Sequence, residues 1–211
     1  MRHFDNLYRN SRIQILAGTD EAGRGPLAGP VVAAAVVFAP ETFIPNVNDS
    51  KKLSAKQREE LYPYIIEKCL DFSVTIISNI VIDRINILQA SLMAMKKSIN
   101  KLKVTPDLIL IDGNKSFEHK IPTLPIIKGD SKSFSIAAAS IIAKVTRDKL
   151  MLKLNEKHPE YLWSKNKGYP TKEHINAIKL FGLTEFHRRS FVKNIIDSSF
   201  DLKFTDTSDV A

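Results

Sequence analysis

Two apolar runs, residues 13–20 (IQILAGTD) and 107–112 (DLILID), each end in an aspartate with a glycine close behind. Such runs read as buried strands, which puts Asp20 and Asp112 at strand ends. Side chains there are held by a rigid element yet project into any cleft the sheet edge opens. Glu21 follows Asp20 directly. If the two strands lie side by side, three carboxylates meet at one edge, an unfavourable crowding unless a cation sits among them. Hard divalent ions with oxygen ligands, Mg²⁺ or Mn²⁺, suit that donor set. Asp130, in KGDSKS, is a candidate fourth acid. Taken singly, Asp112 before Gly113 reads as a turn former and Asp130 before Ser131 as a helix entry. The Asp20–Glu21 pair brings no comparable structural gain. Successive strand residues face opposite ways, so both acids can serve one site only if the chain leaves strand geometry at Glu21.

The rest of the chain alternates strands and helices, which gives an α/β class with a mixed sheet. Residues 31–38 (VVAAAVVF) read as a strand antiparallel to the first, across the turn GRGPLAGP. Ser54 with Gln57 is a capping-box start for a helix to about Cys69. Val74–Ser78 reads as a strand, and residues 86–101 as an amphipathic helix carrying Leu88, Leu92, Met95 and Ile99. Pro125–Lys128 reads as a further strand. Phe134–Lys157 forms a long helix whose early part, SIAAASIIA, is apolar on most sides and therefore packs deep. Thr171 and Gly182 bracket another helix, and one more is expected near 185–196.

The glycines of Gly23-Arg24-Gly25 let backbone N–H groups approach a ligand, and the arginine between them can fork onto a phosphate. A lone glycine pair usually marks only a tight turn; here it follows two carboxylates directly. Lys51 (in DSKK), Lys144 and Arg147 supply positive charge, and Tyr169 in a Gly-Tyr-Pro turn can stack on a sugar or base. Solvated surface and half-buried turn packing are the plain alternatives, weakest for Lys144 in apolar AAASIIAKV. His174 faces the site or sits in a helix's first turn.

Thirty-one Lys and Arg against 23 Asp and Glu give a net charge of +8. Residues 197–211 hold four Asp and one Lys, so the preceding body is more basic than the whole. That balance favours polyanion partners, although solubility alone also accounts for it. The single cysteine, Cys69, forms no internal disulfide and fits no zinc spacing, so a buried structural thiol is expected. No apolar run reaches the ~20 residues of a membrane span, and MRHFDNLYRN lacks a secretory apolar stretch. A cytoplasmic protein with no membrane partner is expected.

Read together, TDEAGRGPLAGPV, NDSKKLSAKQREELY, NILQASLMAM, PDLILIDGN, IIKGDSKSFSIAAASIIAKVTRD, KGYPTKEH and TEFHRRSF closely resemble the ribonuclease HII family of bacterial type 2 ribonucleases H. The GRG turn and the absence of a long N-terminal extension favour type HII over HIII. The resemblance implies a ribonuclease H-like mixed β-sheet flanked by helices, with a small helical C-terminal part. The expected division is 1–150 catalytic, 151–196 helical and packed on it, 197–211 a disordered tail. It puts four acidic active-site and metal-binding residues on Asp20, Glu21, Asp112 and Asp130, with a two-ion Mg²⁺ or Mn²⁺ site. Substrate-binding roles fall on Gly23, Arg24, Gly25, Lys51, Ser140, Lys144, Tyr169 and His174. The implied activity is endonucleolytic hydrolysis of RNA·DNA hybrids and nicking 5′ of single ribonucleotides in duplex DNA, leaving 3′-hydroxyl and 5′-phosphate ends. The implied setting is ribonucleotide removal in DNA replication and repair, by a monomer. Two departures from the family pattern, Ser116-Phe117-Glu118 and Val192-Lys193-Asn194, touch no expected ligand. The rival readings are a transposase- or resolvase-like nuclease and a basic binding module whose acids only form turns.

Overall fold

Val31–Val37 is buried at every residue, because strands cover both its edges and helices cover both its faces. The computed structural model describes residues 1–193; the expected tail at 197–211 lies outside the described residues. In chain order the elements are α1 (Arg2–Asn6), β1 (Leu16–Ala22), β2 (Val31–Val37), α2 (Ala55–Lys68), β3 (Asp71–Ile77), α3 (Asn79–Ile85), α4 (Ile87–Asn100), β4 (Leu108–Asp112), β5 (Thr123–Ile126), α5 (Phe134–Lys157), α6 (Trp163–Asn166) and α7 (Lys172–Phe181). Residues 189–193 are helical, as far as the described part of the expected last helix extends.

The sheet order is β3-β2-β1-β4-β5. β1 pairs antiparallel with β2 and β2 with β3, whereas β1–β4 and β4–β5 are parallel. This is the mixed, helix-flanked sheet expected. On one face α5 and α2 enclose Ala34, Val36, Leu61, Ile65, Ala138 and Ile142. On the other, α3 and α4 cover Ala33, Ala35, Ile109 and Ile111 through Ile82, Ala90, Ala94 and Met95. A third cluster joins Met151 of α5 to Tyr161, Trp163, Ile178 and Val192. The departure at Val192 thus places a fully buried side chain in that cluster.

The N-terminus of α5 crosses β1 so closely that a Cβ at Gly18 would collide with the Ser135 backbone. Asp5 secures the crossing: its Oδ2 accepts from Ser135 N at 2.9 Å and Ser135 Oγ at 2.8 Å. The capping box at Ser54 and Gln57 forms as expected. Two helices differ from expectation. α1 carries no periodic signal, and the segment before 86 holds α3. Asn86, with φ of 64°, turns the chain between α3 and α4 and caps the latter through Gln89 N. Cys69 is half-buried at the end of α2, its thiol donating to Ile66 O.

Candidate active site

The β1–β4 register pairs Leu16 with Leu108 and Gly18 with Leu110. Two residues further along two parallel strands, Asp20 and Asp112 stand side by side on the face covered by α5. Asp130 enters from the 3-10 turn Gly129–Ser131 just ahead of α5. Carboxylate oxygens of the three aspartates lie within 4.8 Å of one another. Asp20 is 3 % exposed and Asp130 5 %. The Asp130 turn is tied to Asp112, whose Oδ1 accepts from Gly129 N at 2.7 Å and Asp130 N at 3.2 Å.

Glu21 reaches the same cavity from the opposite face of β1. Contrary to expectation, the strand does not end there: Glu21 pairs with Ala33 and Ala22 with Val32. β4, however, accompanies β1 only to Thr19. Beyond it the β4-side edge of β1 is open, and side chains from both faces border one hollow. Glu21 is outside the three-aspartate cluster, and its Oε1 lies 3.4 Å from Arg24 Nη1.

The cavity measures about 330 Å³ and is bordered by Asp20, Glu21, Asp112, Gly23-Arg24-Gly25, Ser50, Lys51, Ser140, Lys144 and Tyr169. A larger hollow of about 500 Å³ beneath Phe43, Ile44 and Tyr64 is mainly apolar and gathers no acid cluster. Burial pushes the Asp20 carboxyl well above its ordinary pKa, and Glu21 and Asp112 push the same way. Burial also raises Glu21, against the opposing charge of Arg24, and raises Asp112, where Asp130 adds to it. Crowded buried carboxylates that resist ionising constitute a site short of positive charge. Lys51 supplies part of it, with Nζ 3.1 Å from Asp130 Oδ2.

The remaining expected binders divide. Ser140 borders the cavity and hydrogen-bonds Ser50 Oγ at 2.7 Å. Tyr169 is 40 % exposed, with its ring edge 3.5 Å from where a Cβ on Gly25 would stand. Lys144 also borders the cavity, but its ammonium pairs with Asp148 one turn along, at 2.8 Å, and does not reach back to the carboxylates. His174 does not border the cavity and is fully buried. Trp163 Nε1 donates to its Nε2 at 3.0 Å, so Nδ1 carries the proton and donates to Tyr169 O at 2.9 Å. His174 therefore supports the turn that carries Tyr169.

Arg147 is likewise no surface cation. It is fully buried and donates to Pro30 O, Lys167 O and Ala28 O at 3.0–3.2 Å. Arg188 is its counterpart and was not singled out in the sequence, where it sits in a basic tripeptide. Arg58, also missed, donates to Ser50 O and Leu53 O and holds the loop bearing Lys51.

The ribonuclease HII family model matches residues 17–194. The chain belongs to the ribonuclease HII family. It is 53 % identical over 193 residues to ribonuclease HII of Clostridioides difficile, covering 92 % of this chain and 76 % of that one. It is also 53 % identical to ribonuclease HII of Mycoplasma mycoides, over 85 % of this chain and 87 % of that one. Among solved structures, the ribonuclease H2 of Pyrococcus horikoshii superimposes with a TM-score of 0.73 at 28 % identity, covering 87 % of this chain and 98 % of that one. The ribonuclease HII in a PCNA complex from Archaeoglobus fulgidus gives 0.66 at 26 % identity, over 85 % and 96 %. Membership in this family makes the chain a ribonuclease H, a hydrolase, with the fold expected of it. Among the described residues, no helix is long and apolar enough to cross a membrane.

Proposed function

We propose that the chain cuts the RNA strand of RNA·DNA hybrids and nicks duplex DNA 5′ of single ribonucleotides, with Asp20, Glu21, Asp112 and Asp130 as the acids of its active site. The observation that carries this reading is the three-aspartate cluster, with Asp20 and Asp130 buried and Asp112 half-buried, destabilised by its own charge and beside a glycine-rich turn. Its all-oxygen donor set fits Mg²⁺ or Mn²⁺, which the four acids would hold as a two-ion site. Bound divalent ions supply charge that makes water a better nucleophile and offsets charge on the leaving oxygen.

The chain's own groups do the rest. Asp112 is fixed by two backbone N–H groups, so its carboxylate keeps one orientation. Lys51 and Arg24 flank the acids and are placed to meet a phosphate. Tyr169 packs over the deoxyribose neighbouring the cut, and the Gly23-Arg24-Gly25 backbone reads the 2′-hydroxyl, the group that separates RNA from DNA. Ser140 and Lys144 complete the substrate wall. The boundary expected near residue 150 falls inside α5, and we place the C-terminal helical part in the same working unit, since α5 carries both Ser140 and Met151. A monomeric, cytoplasmic enzyme of ribonucleotide removal completes the proposal.

A panel of end-labelled duplexes tests it: an RNA·DNA hybrid, a single-ribonucleotide duplex, an all-DNA duplex and a four-way DNA junction, each with Mg²⁺ or Mn²⁺. Cleavage confined to the first two supports the reading. Cleavage of the junction or of all-DNA duplex assigns the site to another nuclease class.

A further inference from the structure

Arg188 is fully buried, and all four of its hydrogen bonds go to main-chain carbonyls of one turn. Nη2 donates to Gly23 O at 2.6 Å and Pro30 O at 3.2 Å, Nη1 to Arg24 O at 3.0 Å, and Nε to Gly29 O at 3.0 Å. Arg147 reaches the same turn from α5 through Pro30 O and Ala28 O. Neither guanidinium has a carboxylate within ion-pair distance among the described residues. Burying a cation without an acid is costly, so a structural role alone would be met more cheaply by an apolar side chain.

The geometry of the peptide unit says what the arrangement achieves. In a trans peptide the C=O of one residue and the N–H of the next point in opposite directions. With Gly23 O and Arg24 O both drawn onto Arg188, the N–H groups of Arg24 and Gly25 are turned away from it, towards the cavity that these residues border. Among the described residues, neither N–H has an acceptor within the chain. Two free donors therefore stand at the cavity wall, with two buried guanidinium groups, neither of them in an ion pair, behind them.

We infer that Arg188, backed by Arg147, is a positioning residue for ribonucleotide recognition: it orients the Arg24 and Gly25 N–H groups and lends the turn a positive field that favours an anionic or hydroxyl acceptor. The inference rests on the proposed role of the Gly23-Arg24-Gly25 turn. It goes beyond that role in assigning the selectivity of the turn to a residue that touches no substrate. A lysine at 188 keeps the charge but offers one ammonium where the fork now engages both carbonyls, so charge alone does not suffice.

The test measures binding without divalent metal, to a single-ribonucleotide duplex and to the matching all-DNA duplex, for the parent and Arg188→Lys. Loss of one well-placed hydrogen bond corresponds to about a tenfold change. The expected result is a fall of about tenfold or more in the ribonucleotide-to-DNA affinity ratio. The lost hydrogen bonds lower the melting temperature, but affinity for all-DNA duplex and Mn²⁺ binding stay at parent values, which a general structural defect would not spare together. An unchanged ratio overturns the inference. If the parent itself shows no preference, the reading of the turn fails first and takes the inference with it. If Arg188→Lys does not fold, NMR of the intact parent decides. Individually resolved, slowly exchanging Arg188 guanidinium protons, with Arg24 and Gly25 amides that shift only on adding the ribonucleotide duplex, sustain it. A freely rotating guanidinium or unmoved amides overturn it.

Discussion

Asp20 and Asp112 stand side by side because β1 and β4 are parallel and in register, Leu16 beside Leu108 and Gly18 beside Leu110. Asp130 joins them through a turn that donates two N–H groups to Asp112. Three carboxylates held this close repel one another.

Asp112→Asn relieves part of the crowding while keeping Oδ1 to accept from Gly129 and Asp130. Cleavage should fall by at least about a thousandfold, with duplex binding retained, as expected when a metal-holding acid is removed. At neutral pH the metal-free variant should melt higher than the parent, by about 2–4 °C for each kcal/mol of relieved repulsion in a chain of this size. Thermal melts with chelator, beside single-turnover cleavage, check both. A destabilised Asn variant would mean that the cluster is not strained.

Lys51 pairs with Asp130 but its side chain is 79 % exposed, so the pair contributes little to folding. Lys51→Ala should leave the melting temperature within about 2 °C while raising KM for the duplex about tenfold, in keeping with loss of one charged phosphate contact. A variant with parental KM would remove Lys51 from the substrate wall.

Gly23 has a φ of +102°, and a Cβ there would run into Arg147. Gly25 has an ordinary φ, and its added Cβ would meet Tyr169 at 3.5 Å, normal contact. Gly23→Ala should therefore cost about 1–3 kcal/mol of stability and most of the cleavage. Gly25→Ala should fold like the parent and lose less. Chemical denaturation of the two variants, with kcat/KM on the single-ribonucleotide duplex, ranks them; the reverse order would contradict the geometry.

His187 lies 3.2 Å from His174, Nε2 to Nε2, and burial first, then the neighbouring histidines, lower its pKa to about 4. Thr184 N–H donates to His187 Nδ1, so the neutral ring donates from Nε2 to His174. Its ordinary value is 6.5. Between pH 6.5 and about 4 the unfolded chain binds a proton that the folded one refuses, so stability rises with pH across that window. The contribution is fully present above 6.5 and lost as pH falls to about 4. The raised carboxylates act in the opposite sense, so the measurement is a difference. The stability gap between parent and His187→Asn should shrink as pH is lowered from 7 to 4. A gap independent of pH would mean that the imidazole is not held neutral.

The sheet and the acids were readable because their signals are local. LILI before Asp112 and the small, apolar SIAAASIIA of α5 declare burial by composition, and Ser54 with Gln57 declares a helix start. Glu21's access was misjudged because it depends on where β4 stops beside β1, a matter of register between distant segments. α3 hid because Asn86 breaks one apolar pattern into two helices. Arg147, Arg188 and His174 look like surface or site groups in sequence, since nothing local announces carbonyl partners far away in the chain. Arg147 and Arg188 are buried against the carbonyls of the 23–30 turn, and His174 against Trp163 and His187.

The most direct measurement is the position and metal dependence of the cut in duplex DNA carrying one ribonucleotide. The expected result is a single nick 5′ of that ribonucleotide, with 3′-hydroxyl and 5′-phosphate ends, formed with Mg²⁺ or Mn²⁺ and absent with chelator. A nick on the 3′ side, a cut that survives chelation, or equal cutting of the all-DNA duplex would contradict it.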